Sequence, residues 1–173
     1  MIIIIIYIVS DMRHHNQVEA ILQEWELLTL QGNQHFYHQA WRDAYISYLR
    51  SLEIAERGLN FSRNKQGWRA LRFFVLASQN VAHVCEKMGR VKDAQHYLCH
   101  AHYVLLGLID FSKTRDQMFE SASMEVNATL AALHEFLSRC SKHKLLNSIQ
   151  HETKQILQQC EGRDEYASHY FCA

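Results

Sequence analysis

The sequence predicts an all-α fold of about six helices, and three observations support that class. No proline occurs among the 173 residues, so the chain lacks the residue that most often ends a helix. From about residue 16 onward, apolar side chains recur at steps of three and four, which is the period of an amphipathic helix. Two separated stretches also carry small and aromatic residues at matching offsets, which indicates a repeated helical hairpin.

Each helix is predicted from its apolar stripe and its stop signal. The predicted helices cover about residues 16–39, 41–58, 64–88, 91–109, 113–139 and 142–160. Gly58 and Gly89 are the expected stops of the second and third helices. The fifth helix has the most regular stripe, and the sixth is more polar, as is typical of a helix that closes a stack.

The two ends of the chain lack this helical period. The apolar run from Ile2 to Val9 is rich in β-branched residues, which favour strands over helices. It is too short to span a membrane, and no basic leader precedes it as in a signal peptide. We expect residues 1–11 to be a non-helical segment docked on the domain or an upstream extension; membrane contact and self-pairing are the alternatives. Residues 161–173 are expected to be an irregular tail.

The composition indicates which classes of partner and which cellular compartment to expect. The 18 basic residues balance the 18 acidic ones, and no basic stripe matches a row of phosphates, so nucleic acid is not expected. Stable membrane insertion is not expected either. The five cysteines are scattered and include no C-x-x-C pair, which argues against a disulfide framework and a zinc knuckle. They are typical of reduced thiols in a single-domain cytoplasmic protein.

No catalytic motif is present in the sequence. It contains neither a G-x-S-x-G nucleophile turn nor a glycine-rich phosphate loop, and glycine occurs only six times. We therefore expect a noncatalytic protein without a cofactor.

The repeated residues resemble a known family. The first copy consists of Gly32, Phe36, Trp41, Ala44, Tyr48, Ser51 and Leu52, and the second of Ala82, Cys85, Gly89, Val91, Ala94, Leu98 and Ala101. This pattern resembles the tetratricopeptide repeat (TPR) family. The resemblance implies antiparallel hairpins stacked as a short right-handed solenoid over residues 12–160, with repeats at about 25–58 and 75–108 and capping helices at about 113–160. Ala44 and Ala94 are 50 residues apart, whereas the family period is about 34.

The resemblance also implies a concave binding surface on the first helix of each hairpin. Its expected residues are Thr29, Asn33, Phe36 and Tyr37, then Leu76, Gln79, Asn80, His83 and Lys87. Asn33 and Asn80 match positions that clamp a terminal carboxylate in family members that bind chaperone tails. Thr29 stands where that clamp has a lysine, so a complete clamp is not expected. We expect an adaptor or regulator that binds a peptide or helix by shape and backbone hydrogen bonds. The partner and pathway are not named by the sequence, and homodimer formation stays open.

Histidine is unusually frequent, with twelve residues. His96 and His100 share a helix face at one-turn spacing, which is a two-ligand geometry for zinc or copper. His102 lies roughly 200° around the helix from His100 and cannot join them. We expect exposed histidines and no closed metal site. A histidine-rich metal-binding or metal-responsive protein is the alternative function.

Overall fold

The backbone in this computed structural model is described for residues 2–61, 67–111 and 117–170, and the side chains for 19–59, 70–111 and 117–160. These residues form six α-helices and no strand, which confirms the all-α class. The helices are α1 (Ile2–Tyr37), α2 (Trp41–Phe61), α3 (Gly67–Lys87), α4 (Val91–Phe111), α5 (Gln117–Arg139) and α6 (His143–Tyr170).

Among the described links between helices, those after α1, after α3 and after α5 share one turn geometry. The middle residue of each three-residue link has a positive φ: Gln39 59°, Gly89 72° and Ser141 56°. In the first link the Gln39 N–H donates to the Phe36 carbonyl (3.0 Å), and the Ala40 N–H donates to the His35 carbonyl (2.9 Å). Both bonds recur in the other two links, so all three are Schellman motifs. Of these three turns, the sequence indicates only the one at Gly89, because glycine readily adopts a positive φ whereas glutamine and serine rarely do.

Two helices are longer than their apolar periods predict. α1 begins at Ile2 and α6 ends at Tyr170, so the expected non-helical state of residues 2–11 and 161–170 is wrong. β-Branched residues lower helix propensity by less than about 0.7 kcal/mol each, and extending an existing helix avoids the cost of nucleation. Met1 and residues 171–173 lie outside the described part of the chain.

The chain divides into two compact units, Met1–Ala94 and Gln95–Ala173. In the first unit, α1 and α2 pack antiparallel. Asn33 Oδ1 accepts a hydrogen bond of 2.8 Å from the Tyr48 hydroxyl. Earlier on α1, Thr29 Oγ1 shares one of 2.8 Å with Ser51 Oγ, further along α2. The two contacts advance in opposite directions along the helices, as a hairpin requires.

Two glycines let the helices of the first unit approach closely. A Cβ at Gly32 would overlap the Tyr48 ring, lying 3.1 Å from its Cγ, so Gly32 lies at a close crossing of α1 and α2. A Cβ at Gly58 would lie 3.3 Å from Ala70 Cβ and 3.4 Å from Ile21 Cγ2. The prediction that Gly58 ends α2 is wrong, because the helix continues to Phe61 and Gly58 is buried where it meets α1 and α3.

The third helix of this unit lies beside the first and runs parallel to it. The rings of Trp25 and Phe73 have centroids 4.4 Å apart. Further along both helices, the rings of Phe36 and His83 have centroids 4.9 Å apart. Because both contacts advance in the same direction, α1 and α3 are parallel neighbours, and α2 packs antiparallel to α1.

The second unit contains α4 from Gln95 onward, with α5 and α6. Its apolar core is drawn from all three helices and includes Leu105, Ile109, Val126, Leu133, Leu137 and Ile149, each with 0% exposure. α4 and α6 meet along their length. His102 Nε2 lies 2.9 Å from Thr153 Oγ1, and further along, the Cys160 thiol donates to the Ile109 carbonyl (3.6 Å). Because the second contact lies further along both helices than the first, α4 and α6 are parallel within this unit.

Candidate partner-binding surface

All nine predicted partner-binding residues lie in the first unit, on the two parallel helices α1 and α3. We call them together the α1–α3 face: Thr29, Asn33, Phe36 and Tyr37 on α1, with Leu76, Gln79, Asn80, His83 and Lys87 on α3. Each is at least partly exposed. The face is therefore open to solvent, and its two helices are in direct contact with each other.

Phe36 and His83 join the two halves of this face. Besides its contact with His83, the Phe36 ring lies against Trp41 at the start of α2, with centroids 4.9 Å apart in an edge-to-face arrangement. Phe36 is half-buried and His83 is exposed. The aromatic ring thus fills the space between the helices, and the imidazole forms the exposed side of the junction.

The polar groups of Thr29 and Asn33 are bonded within the unit. Thr29 pairs with the buried Ser51, and Asn33 accepts from the hydroxyl of Tyr48, which is 4% exposed. A buried hydroxyl needs such a partner because leaving it unpaired costs about 1–3 kcal/mol. Asn33 therefore positions Tyr48 as well as contributing to the face. The sequence does not reveal this bond, because it depends on the register between α1 and α2.

The remaining residues of the face supply mixed chemistry. Tyr37 is 83% exposed, with its ring edge-on to His38 at 5.4 Å, and Leu76 is 38% exposed. Gln79 and Asn80 are half-buried amides, and Lys87 is an exposed cation. The nine residues include no carboxylate, so an apolar ligand with backbone hydrogen-bonding groups suits them better than a cation.

Sequence reasoning missed two exposed leucines on α1. Leu27 and Leu30 are 58% and 57% exposed, and with Tyr37 they are the large apolar side chains that lie in solvent on the described part of α1. They lie off the stripe that contains Trp25 and Phe36, which contact α3. Leucines displaced from the core stripe of an amphipathic helix are the signal that would have identified them.

The histidines of α4 fall into two classes. His96 and His100 are exposed and stacked, with ring centroids 6.1 Å apart and planes inclined by 10°. Among the described residues there is no group of three or more histidine, cysteine, aspartate or glutamate side chains placed to hold a metal ion. His102 is fully buried, so the expectation of an exposed histidine is wrong at that position. It points to the opposite side of α4, which faces the core.

Two thiols on α3 and α4 are held in their protonated form. Burial raises the pKa of Cys85 and of Cys99 above the ordinary value of 9.0. The charges of Arg90 near Cys85 and of Lys142 near Cys99 act in the opposite direction and offset only part of this effect. Neither position therefore supplies a thiolate nucleophile at neutral pH.

One family model matches the chain, over residues 23–169, and it is described as "Protein of unknown function (DUF2753)". The chain belongs to this family. The DUF2753 match includes every residue of the α1–α3 face and the core of the second unit. No curated protein and no solved structure matches the chain.

Within the described ranges of this DUF2753 member, no helix combines the length and the apolar character needed to cross a bilayer.

Proposed function

We propose that this DUF2753 member is a noncatalytic protein-binding module, an adaptor or regulator that takes a peptide or helix on the α1–α3 face. The observation that carries the proposal is the parallel contact of α1 and α3 through Trp25 with Phe73 and Phe36 with His83. In the TPR arrangement the first helices of successive hairpins are such parallel neighbours, and they line the binding surface. The packing of α1, α2 and α3 supports a TPR-like arrangement within the first unit.

The chemistry of the face favours a ligand with apolar side chains. Tyr37 and Leu76 offer exposed apolar area, and Gln79 and Asn80 offer amide donors and acceptors for a peptide backbone. A single lysine gives the face one formal cation. The five scattered cysteines support a cytoplasmic location, because structural disulfides are rare in a reducing compartment.

We expect substitutions on the face to reduce partner binding without unfolding the protein. Tyr37→Ala combined with Leu76→Asp removes two exposed apolar contacts, and truncation of central contacts costs about 1–2 kcal/mol or more, so affinity should fall at least tenfold. The measurement is quantitative co-purification from native cells, followed by titration with the captured partner. Asn33→Ala is a poor probe, because it leaves the buried Tyr48 hydroxyl unpaired.

The matched control is Ile46→Asp on α2. Ile46 is 45% exposed, comparable with Leu76, and follows Arg42 and precedes Arg50 on the exposed side of that helix. This variant should retain the partner. Equal binding by the face variant and the wild type, at equal melting temperature, would contradict the proposal.

A further inference from the structure

His102 links the three helices of the second unit at one buried point. Its imidazole has 0% exposure. Nδ1 lies 2.8 Å from Thr129 Oγ1 on α5, and Nε2 lies 2.9 Å from Thr153 Oγ1 on α6. Both ring nitrogens of an α4 residue are therefore engaged by hydroxyls of the other two helices.

Each threonine hydroxyl also has a second acceptor within its own helix. Thr129 Oγ1 is placed to donate to the Val126 carbonyl (2.9 Å), and Thr153 Oγ1 to the Ile149 carbonyl (2.7 Å). A hydroxyl has one proton, and a neutral imidazole has one N–H and one acceptor nitrogen. With the ring neutral, one threonine must direct its proton to the ring. With the ring protonated, both hydroxyls accept from the ring and donate to their carbonyls.

The groups around His102 determine whether its ring is neutral or protonated. Val126, Leu133 and Ile149 are fully buried apolar residues of the same core. Titratable groups on the adjoining turns are Tyr103 and Cys99 on α4, Glu125 on α5, and Glu152 and Lys154 on α6.

None of these groups neutralises a charge on His102. Glu152 is exposed, and its carboxylate accepts the Tyr103 hydroxyl at 2.9 Å. Within the described residues, the ring hydrogen-bonds to threonine hydroxyls and to no carboxylate. Burial alone lowers the pKa of His102 from its ordinary 6.5 to about 4. Desolvation of the cation therefore outweighs the one additional hydrogen bond that protonation allows, from the second threonine hydroxyl to its helix carbonyl.

We propose that His102 is an acid-sensitive latch, and that protonating its imidazole releases α5 and α6 from α4 within the second unit. Between pH 6.5 and 4 the unfolded chain binds a proton that the folded unit excludes. Because the folded pKa lies below the unfolded one, the stabilisation is complete above pH 6.5 and is lost as the pH falls through this window.

The test compares denaturant unfolding of the full chain with that of His102→Gln from pH 7.5 to 4. As the pH is lowered from 6.5 to 4, the unfolding constants of both proteins are compared as a ratio, wild type over variant. This ratio should rise by about tenfold for each pH unit, because the variant lacks the titrating group. His96→Gln, at an exposed histidine of the same helix, should follow the wild type. Equal pH dependence in wild type and His102→Gln would overturn the proposal.

A measurement on the wild type alone avoids dependence on the folding of the variant. Nitrogen-15 NMR of the histidine side chains should show His102 as a neutral imidazole at pH 7, unprotonated in the folded state down to about pH 5. Amide hydrogen exchange in α4, α5 and α6 should accelerate as the pH is lowered further, after correction for intrinsic exchange. A ring protonated at both nitrogens at pH 7, or one that titrates near pH 6.5 without accelerated exchange, would contradict the latch.

Discussion

Trp25→Ala is expected to lower the free energy of unfolding by about 3–5 kcal/mol, the usual cost of removing a buried tryptophan side chain. Trp25 is 8% exposed, and its ring packs on Phe73, so the change removes the contact that joins the middle of α1 to α3. Urea unfolding followed by far-ultraviolet circular dichroism measures the loss.

Trp25→Phe is the matched variant. Among the described residues, the buried Nε1 of Trp25 has no hydrogen-bond partner, so phenylalanine loses apolar contact but no hydrogen bond. The expected cost is below about 1.5 kcal/mol, as for other hydrophobic replacements that keep most of the volume. Equal losses in the two variants would show that the ring does not support the α1 and α3 contact.

Gly32→Ala is expected to destabilise the protein although alanine is the better helix former. The new Cβ would overlap the Tyr48 ring, which is buried and bonded to Asn33. Overpacking costs about 1–3 kcal/mol, and the higher helix propensity of alanine offsets about 1 kcal/mol of this cost, so we expect a net loss of up to about 2 kcal/mol in the same assay.

Gly107→Ala is the control for this substitution. Gly107 also lies inside a helix, but apart from its own helix backbone and chain neighbours a Cβ there meets no atom of the described residues within 4 Å, so alanine should stabilise the protein by up to about 1 kcal/mol. Changes of the same sign at both glycines would remove the evidence for a close crossing at Gly32.

The helix order and most helix bounds follow from the sequence, because the three-and-four spacing of apolar residues survives along most of the chain. The sequence identifies Gly89 as a helix end, because helices often end at a residue with positive φ and glycine is the usual residue there. Gly58 was not recognisable as a packing position. Whether a glycine ends a helix or admits a neighbouring helix depends on tertiary contacts, here Ala70 and Ile21.

The sequence places the nine residues of the α1–α3 face on two helices, but it does not indicate which contacts these residues make. The TPR resemblance placed Phe36 and His83 on the first helices of two hairpins, and the structure brings their rings together. The bond from Tyr48 to Asn33 depends on helix register. The burial and hydrogen bonds of His102 were missed for the same reason. Its threonine partners lie 27 and 51 residues away on other helices, so the local spacing of residues does not indicate them.

Site-specific photo-crosslinking in native cells tests the proposed binding face most directly. A benzophenone amino acid is placed at Tyr37 or Leu76 on the face, and at Ile46 on the exposed side of α2, with the crosslinked peptides mapped by mass spectrometry. We expect Tyr37 and Leu76 to label the same partner segment and Ile46 not to label it. Crosslinking of a partner from Ile46, with no crosslink from Tyr37 or Leu76, would contradict the account.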